Sequence, residues 1–192
     1  MSNRVCPWWL GYLLASPVRR LLQKPEEVVT PYIEPGMTVL EPGPGMGFFT
    51  LELARRVGNG GRVVAVDVQP RMIAGLKRRL RKNGLLERVD ARVASADSMG
   101  VEDLRGRVDF TLAFAMVHEM PSAERFFAEA AEASKAGAGL LLVEPAGHVP
   151  PAKFEAELEA AARAGFAVKE RPTVHRCHAV LLRKTEMGAL PV

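Results

Sequence analysis

The chain has 192 residues, 48% of them hydrophobic, which fits one globular domain that buries roughly 70% of its unfolded surface without a disulfide or metal staple. Its two cysteines, Cys6 and Cys177, lie too far apart in sequence to suggest a disulfide framework or a C-x-x-C pair, so a reducing cytoplasm is the expected setting. A formal charge of +4 comes from 26 basic and 22 acidic residues, a mixed surface that argues only weakly for a nucleic-acid partner.

The first element is the apolar run "CPWWLGYLLA", Cys6 to Ala15. It is too short to span a bilayer, and Arg19 and Arg20 follow it, whereas a secretory signal carries its charge in front. A short helix closing over the domain is the first reading, an apolar wall of a substrate pocket the second, and peripheral membrane contact through residues 6–15 the last. Residues 1–30 are therefore read as an N-terminal helical lid segment, with short helices broken at Pro25 and Pro31, and residues 31–186 as the main domain.

Strand and helix patterns then alternate. Strands are predicted at Met37–Glu41, Arg62–Asp67, Val89–Ala94, Val108–Met116, Gly139–Glu144, Ala167–Arg171 and Val174–Arg183. Apolar stripes of helical period fall at Ile73, Leu76 and Leu80, at Ala123, Phe126 and Ala130, and at Phe154, Leu158 and Ala161. Strands separated by crossover helices imply an α/β fold, a doubly wound and mostly parallel seven-stranded sheet with helices on both faces. The last two strands are separated by only Pro172 and Thr173, so they form a C-terminal antiparallel hairpin.

Within this frame "EPGPGMG", Glu41 to Gly47, follows the first strand and opens a helix. Alternating glycines let the backbone take positive φ and let a ligand approach the main chain. Asp67 closes the second strand 24 residues past Gly43, where a carboxylate can accept hydrogen bonds from two ribose hydroxyls. The dinucleotide spacing G-x-G-x-x-G would need glycine at Phe48, and the triphosphate pattern G-x-x-x-x-G-K-[ST] is absent, which argues against a pyrophosphate. A nucleoside with a charged, phosphate-free tail remains.

These motifs resemble those of class I S-adenosylmethionine-dependent methyltransferases from about Glu26 to Lys184. The acid and G-x-G-x-G are matched by "EPGPGMG", the acid of the second strand by Asp67, the acid after the third by Asp97 in "VASADSMG", the fourth strand by "VDFTLAFAMVHEMP", and the closing hairpin by the strands around Pro172 and Thr173. The resemblance implies S-adenosyl-L-methionine as cofactor and S-adenosyl-L-homocysteine as product. It implies that Gly43, Gly45 and Gly47 approach the methionine part, that Glu41 orients it, and that Asp67 holds the ribose. Val68 and Ala96 would sandwich the adenine, Asp97 would accept its amine, and main-chain groups of Phe114 and Ala115 would meet the methionine amine.

Methyl transfer needs a base only where the acceptor must lose a proton, and His118 in "MVHEMP" is the candidate; a histidine bonded to nearby backbone is the competing reading. His175, Cys177 and His178 are read as no metal site, since strand residues three apart point to opposite faces. "AMVHEM" stands where N-methylating enzymes of bases and amides carry [NDS]-P-P-[YFW], and the run Lys77–Lys82 is read as a solvated helix face. The expected substrate is a small apolar or aromatic molecule. An RNA methyltransferase and a non-catalytic cofactor-binding partner protein are the alternatives.

Overall fold

The structure is a computed structural model that describes residues 24–185; the lid expected at residues 1–30 lies mostly outside them. Seven strands form a mixed sheet in the order Val89–Val93 (β3), Arg62–Asp67 (β2), Thr38–Pro42 (β1), Val108–Phe114 (β4), Ser134–Pro145 (β5), Cys177–Lys184 (β7) and Phe166–Glu170 (β6). The described residues fall into two compact units that divide between Met99 and Gly100.

The first unit begins with α1 (Pro25–Val29), which has proline in its first turn and is followed by Pro31 in a turn. Then come β1 (Thr38–Pro42), α2 (Thr50–Val57), β2 (Arg62–Asp67), α3 (Pro70–Lys82) and β3 (Val89–Val93). Residues Val63 to Val66 of β2 are all buried, as a strand paired in parallel with β1 on one side and β3 on the other requires. The predicted stripe on α3 is core: Ile73, Leu76 and Leu80 are 4%, 0% and 0% exposed. Burying that stripe leaves the six basic side chains of α3 on its other faces.

The second unit contains β4 (Val108–Phe114), a tight turn at Val117–Glu119, α4 (Ala123–Ala133), β5 (Ser134–Pro145), α5 (Pro151–Arg163), β6 (Phe166–Glu170) and β7 (Cys177–Lys184). Ser122 caps α4 by accepting a hydrogen bond from the Arg125 amide at 3.1 Å. β5 pairs in parallel with β4 and antiparallel with β7, and β6 pairs antiparallel with β7, giving the hairpin that the short connection requires.

Three boundaries differ from expectation by more than one residue. β4 stops at Phe114 rather than Met116, because Ala115 takes φ 53°, outside any strand conformation. β5 starts at Ser134, five residues early, its pairing with β4 interrupted by a register shift between Val108 and Phe110. β7 starts at Cys177, so residues 171–176 form the hairpin connection, with Arg176 at φ 57° and the Cys177 amide bonded to the Val174 carbonyl at 3.0 Å. His175 thus sits in a turn, and strand alternation does not decide where it points.

At Gly47 the loop after β1 comes close to α3. A Cβ on Gly47 would lie 2.5 Å from Leu76 Cδ1, and Gly47 has φ +85°. Gly47→Ala is expected to cost roughly 2 kcal/mol or more, from overpacking together with left-handed strain. Gly45→Ala, at φ +54° with nothing within 4 Å of the added atom, should cost only about 1 kcal/mol. Urea unfolding of both variants measures the difference, and equal losses would contradict the packing role of Gly47.

Candidate active site

The glycine loop of the first unit is held from three directions. The Gly43 amide donates to the Val66 carbonyl at 2.9 Å, tying the start of the loop to β2. Arg79 of α3 donates to the Met46 carbonyl at 2.7 Å, and Met46 itself is buried against Gly75, where a Cβ would come within 3.0 Å of it. Asp67 accepts from the Gly45 amide at 3.3 Å and from the Gln69 amide at 2.8 Å. The cationic helix therefore uses one of its arginines to fix the loop, a structural duty inside the run Lys77–Lys82.

Asp67 also gathers the adenine-side candidates. Its carbonyl accepts from the Ala94 amide at 3.0 Å, which brings the end of β3 and the following loop alongside the end of β2. In that loop the Ser98 amide donates to the Ser95 hydroxyl at 3.0 Å, a local turn that presents Ala96 and Asp97 at the surface. Val68 is 40% exposed, high for a valine and consistent with an apolar surface available to a flat ligand.

Glu41 is the anomaly of this unit. It closes β1 at 3% exposure, and its Oε2 has no hydrogen-bond partner. The Thr50 hydroxyl stands near enough to favour the charged form, but neither it nor Oε2 reaches hydrogen-bond geometry. Desolvation dominates, with a smaller contribution from the charge of Asp67, and pushes the Glu41 carboxyl up to about 8. An orphaned buried acid beside a glycine loop is what a ligand carrying a positively charged amine would satisfy. The residues present thus fit the cofactor that the sequence implies.

In the second unit the strained Ala115 is anchored by its amide, which donates to the Val143 carbonyl at 2.7 Å. The chain then turns, and Glu144, fully buried at the end of β5, accepts from the Val117 amide at 2.8 Å and the His118 amide at 3.3 Å through Oε1. Its other oxygen meets His118 Nδ1 at 2.5 Å. This bond to Glu144 raises the His118 imidazole above its ordinary value, against an opposing effect of partial burial. With Glu144 ionised, Nδ1 donates to it and Nε2 is left to accept a proton. The ring is bonded to a carboxylate, not to backbone. Nε2 lies 3.9 Å from Glu119 Oε1, beyond a hydrogen bond.

Helix α5 completes this cluster. Lys153 Nζ donates to the His118 carbonyl at 3.1 Å, and Glu157, one turn further along, is 4% exposed with neither carboxyl oxygen hydrogen-bonded. Burial, and next the charge of Glu144, push the Glu157 carboxyl up to about 7.

Glu144 and Glu157 were not foreseen from the sequence, although both left a signal. Glu144 ends an apolar run in "LLLVEP" as Glu41 ends "TVLE" and Asp67 ends "VVAVD"; Glu157 interrupts the buried stripe of Phe154, Leu158 and Ala161. His178 has a structural role: Nε2 lies 3.1 Å from the Val149 carbonyl, and its ring stacks on Phe154 at 5.2 Å between centroids. Among the described residues no three His, Cys, Asp or Glu side chains group as a metal site.

The state of Glu41 has a measurable consequence. Its ordinary value is 4.5, so folding raises its proton affinity; stability from this group is complete below pH 4.5 and is lost as pH rises through about 8. Glu41→Gln removes that penalty. The variant should gain thermal stability over wild type above pH 8 and differ least near pH 4.5, whereas a gain independent of pH would contradict an ionisable, desolvated Glu41.

Residues 39–137, more than half the chain, match the family model described as a methyltransferase domain. A stretch of 71 residues, 37% of this chain and 28% of its relative, is 35% identical to the ubiquinone/menaquinone biosynthesis C-methyltransferase UbiE of Hydrogenovibrio crunogenus. Another of 93 residues, 48% of this chain and 23% of its relative, is 33% identical to the arsenite methyltransferase of Halobacterium salinarum. The chain thus spans about a quarter of the length of these curated relatives. The crystal structure of a SAM-dependent methyltransferase from Aquifex aeolicus superposes with a TM-score of 0.84 at 26% identity, covering 94% of this chain and 100% of that one. The domain model and the shared fold together show that the chain belongs to the class I S-adenosylmethionine-dependent methyltransferases.

Proposed function

We propose that the chain moves a methyl group from S-adenosylmethionine to a small apolar or aromatic molecule, with His118 as general base where the acceptor must lose a proton. The observation that carries the cofactor half of this reading is the buried, unpartnered Glu41 oxygen beside the glycine loop. When bound, the cofactor supplies a methyl group already activated on a positively charged sulfur. Glu41 orients the methionine part, directly or through water, and Asp67 takes the ribose hydroxyls. Val68 and Ala96 flank the adenine, Asp97 accepts its amine, and main-chain groups of Phe114 and Ala115 meet the methionine amine. Holding acceptor and methyl in line can contribute on the order of 7–11 kcal/mol, so much of the catalysis can come from positioning alone.

Support for a small substrate comes from the two relatives named for quinone biosynthesis and for arsenite. Support for His118 comes from its geometry, an imidazole oriented by Glu144 with Nε2 free of a hydrogen bond to Glu119. The run Cys6 to Ala15, whose Trp8, Trp9 and Tyr12 would make the apolar wall for such a substrate, lies outside the described residues. A reducing, cytoplasmic setting belongs to the same reading; no helix among the described residues is long and apolar enough to cross a membrane.

The test is S-adenosylhomocysteine release against a panel of small quinols, phenols and thiols, with RNA as a parallel acceptor. Turnover on a small acceptor is expected, and His118→Gln should lower kcat by about 10²–10⁴-fold without changing KM for the cofactor. Because Glu144 raises the imidazole, the ascending limb of kcat against pH should lie above 6.5 and move to lower pH in Glu144→Gln. Methylation of RNA alone would overturn the substrate class. Cofactor binding without turnover on any acceptor would favour the partner-protein alternative, and full activity of His118→Gln would remove the base.

A further inference from the structure

Among the described residues of the second unit, two carboxyl groups are buried, Glu144 and Glu157, and the proposed reaction does not use Glu157. Glu157 is on α5, 4% exposed, with both carboxyl oxygens lacking a hydrogen-bond partner. An acid left this way costs free energy on folding, and an apolar residue at the same place on the stripe of Phe154, Leu158 and Ala161 would cost none. Its helix is joined to the His118 turn through Lys153, four residues earlier and hence on the same face, whose Nζ donates to the His118 carbonyl at 3.1 Å. Glu144, itself fully buried, spends both oxygens on the turn: one on the amides of Val117 and His118, the other on the His118 ring.

We infer that Glu157 is a positioning residue of the His118–Glu144 pair: a second buried carboxyl, with no duty in the fold, that sets how strongly the imidazole holds a proton. The inference rests on His118 being the base of the proposed reaction. Charged groups acting on Glu157 are Glu144 from β5, His118 from the turn and Lys153 from its own helix. The other ion pairs of α5 among the described residues, Arg163 with Glu124 and Glu159 and Arg171 with Glu155, are at the surface.

With Glu144 ionised, Glu157 protonated and His118 neutral, these three groups together carry one negative charge; a proton taken up at Nε2 makes the three neutral. At higher pH Glu157 loses its proton to solvent, the cluster gains a second negative charge, and the imidazole becomes more basic. Burial and Glu144 push the Glu157 carboxyl up to about 7, and the charge it then carries acts on an imidazole already raised by Glu144, so the two titrations are coupled.

The experiment is an NMR titration of the His118 ring nitrogens in the whole protein, wild type against Glu157→Gln. Wild type should titrate over a broadened range. In Glu157→Gln the curve should sharpen to a single step, with its midpoint lower by about 0.5 unit or more, as loss of a nearby negative charge requires. Where Glu157→Gln fails to fold, Glu157→Met reads the same shift with a residue suited to the apolar stripe. A curve superimposable on wild type in the folded variant overturns the inference. The titration needs no substrate, so it is independent of the base assignment: an unshifted curve removes Glu157 alone, whereas a fully active His118→Gln removes the base and leaves the coupling as a property of the cluster.

Discussion

A carboxyl taken out of water without a partner is among the most costly groups a small protein can hold, and much in this fold is arranged around where such groups are put. β1, β2 and β5 run through buried apolar residues and place an acid at or beside their carboxyl ends: Glu41, Asp67 and Glu144. The three are treated differently. Asp67 is half-buried and takes two loop amides, Glu144 is fully buried and takes two amides and an imidazole, and Glu41 is buried with one oxygen left over. The difference separates roles. Glu144 organises its own neighbourhood, whereas Glu41 is an acid whose cost a bound cation would offset.

The glycine loop shows the same division between structure and binding. Gly47 is needed for packing against Leu76 as well as for its backbone angle, while Gly45 stands clear of neighbours and donates its amide to Asp67. Arg79 and Met46 hold the middle of the loop on α3. A loop fixed this way meets its ligand with little ordering left to do, which is how backbone-built sites avoid the entropy cost of binding.

Much of this was legible in the residues because it depends on local rules. β2 runs from Arg62 to Asp67 as its apolar pattern requires, the α3 and α5 stripes are buried, and the short final connection forces a hairpin. The glycine spacing, with Phe48 where a dinucleotide loop needs its third glycine, favours a phosphate-free nucleoside from the residues alone. What local rules could not reach are pairings across the chain. His118 and Glu144 are 26 residues apart, and nothing in "MVHEMP" shows that its histidine meets an acid at the end of β5. The early stop of β4 depends on Ala115 adopting an angle that alanine rarely takes, held by a bond to Val143 that sequence does not display.

We assign to the loop of Glu41 to Gly47, with Asp67, an adenosyl amino acid as its ligand. Calorimetric titration of the purified protein with S-adenosylhomocysteine and with NAD, in wild type and Asp67→Ala, tests it most directly. The account predicts micromolar binding of S-adenosylhomocysteine that Asp67→Ala abolishes or weakens severely, and no comparable binding of NAD. Preference for NAD, or adenosyl binding indifferent to Asp67, would contradict it.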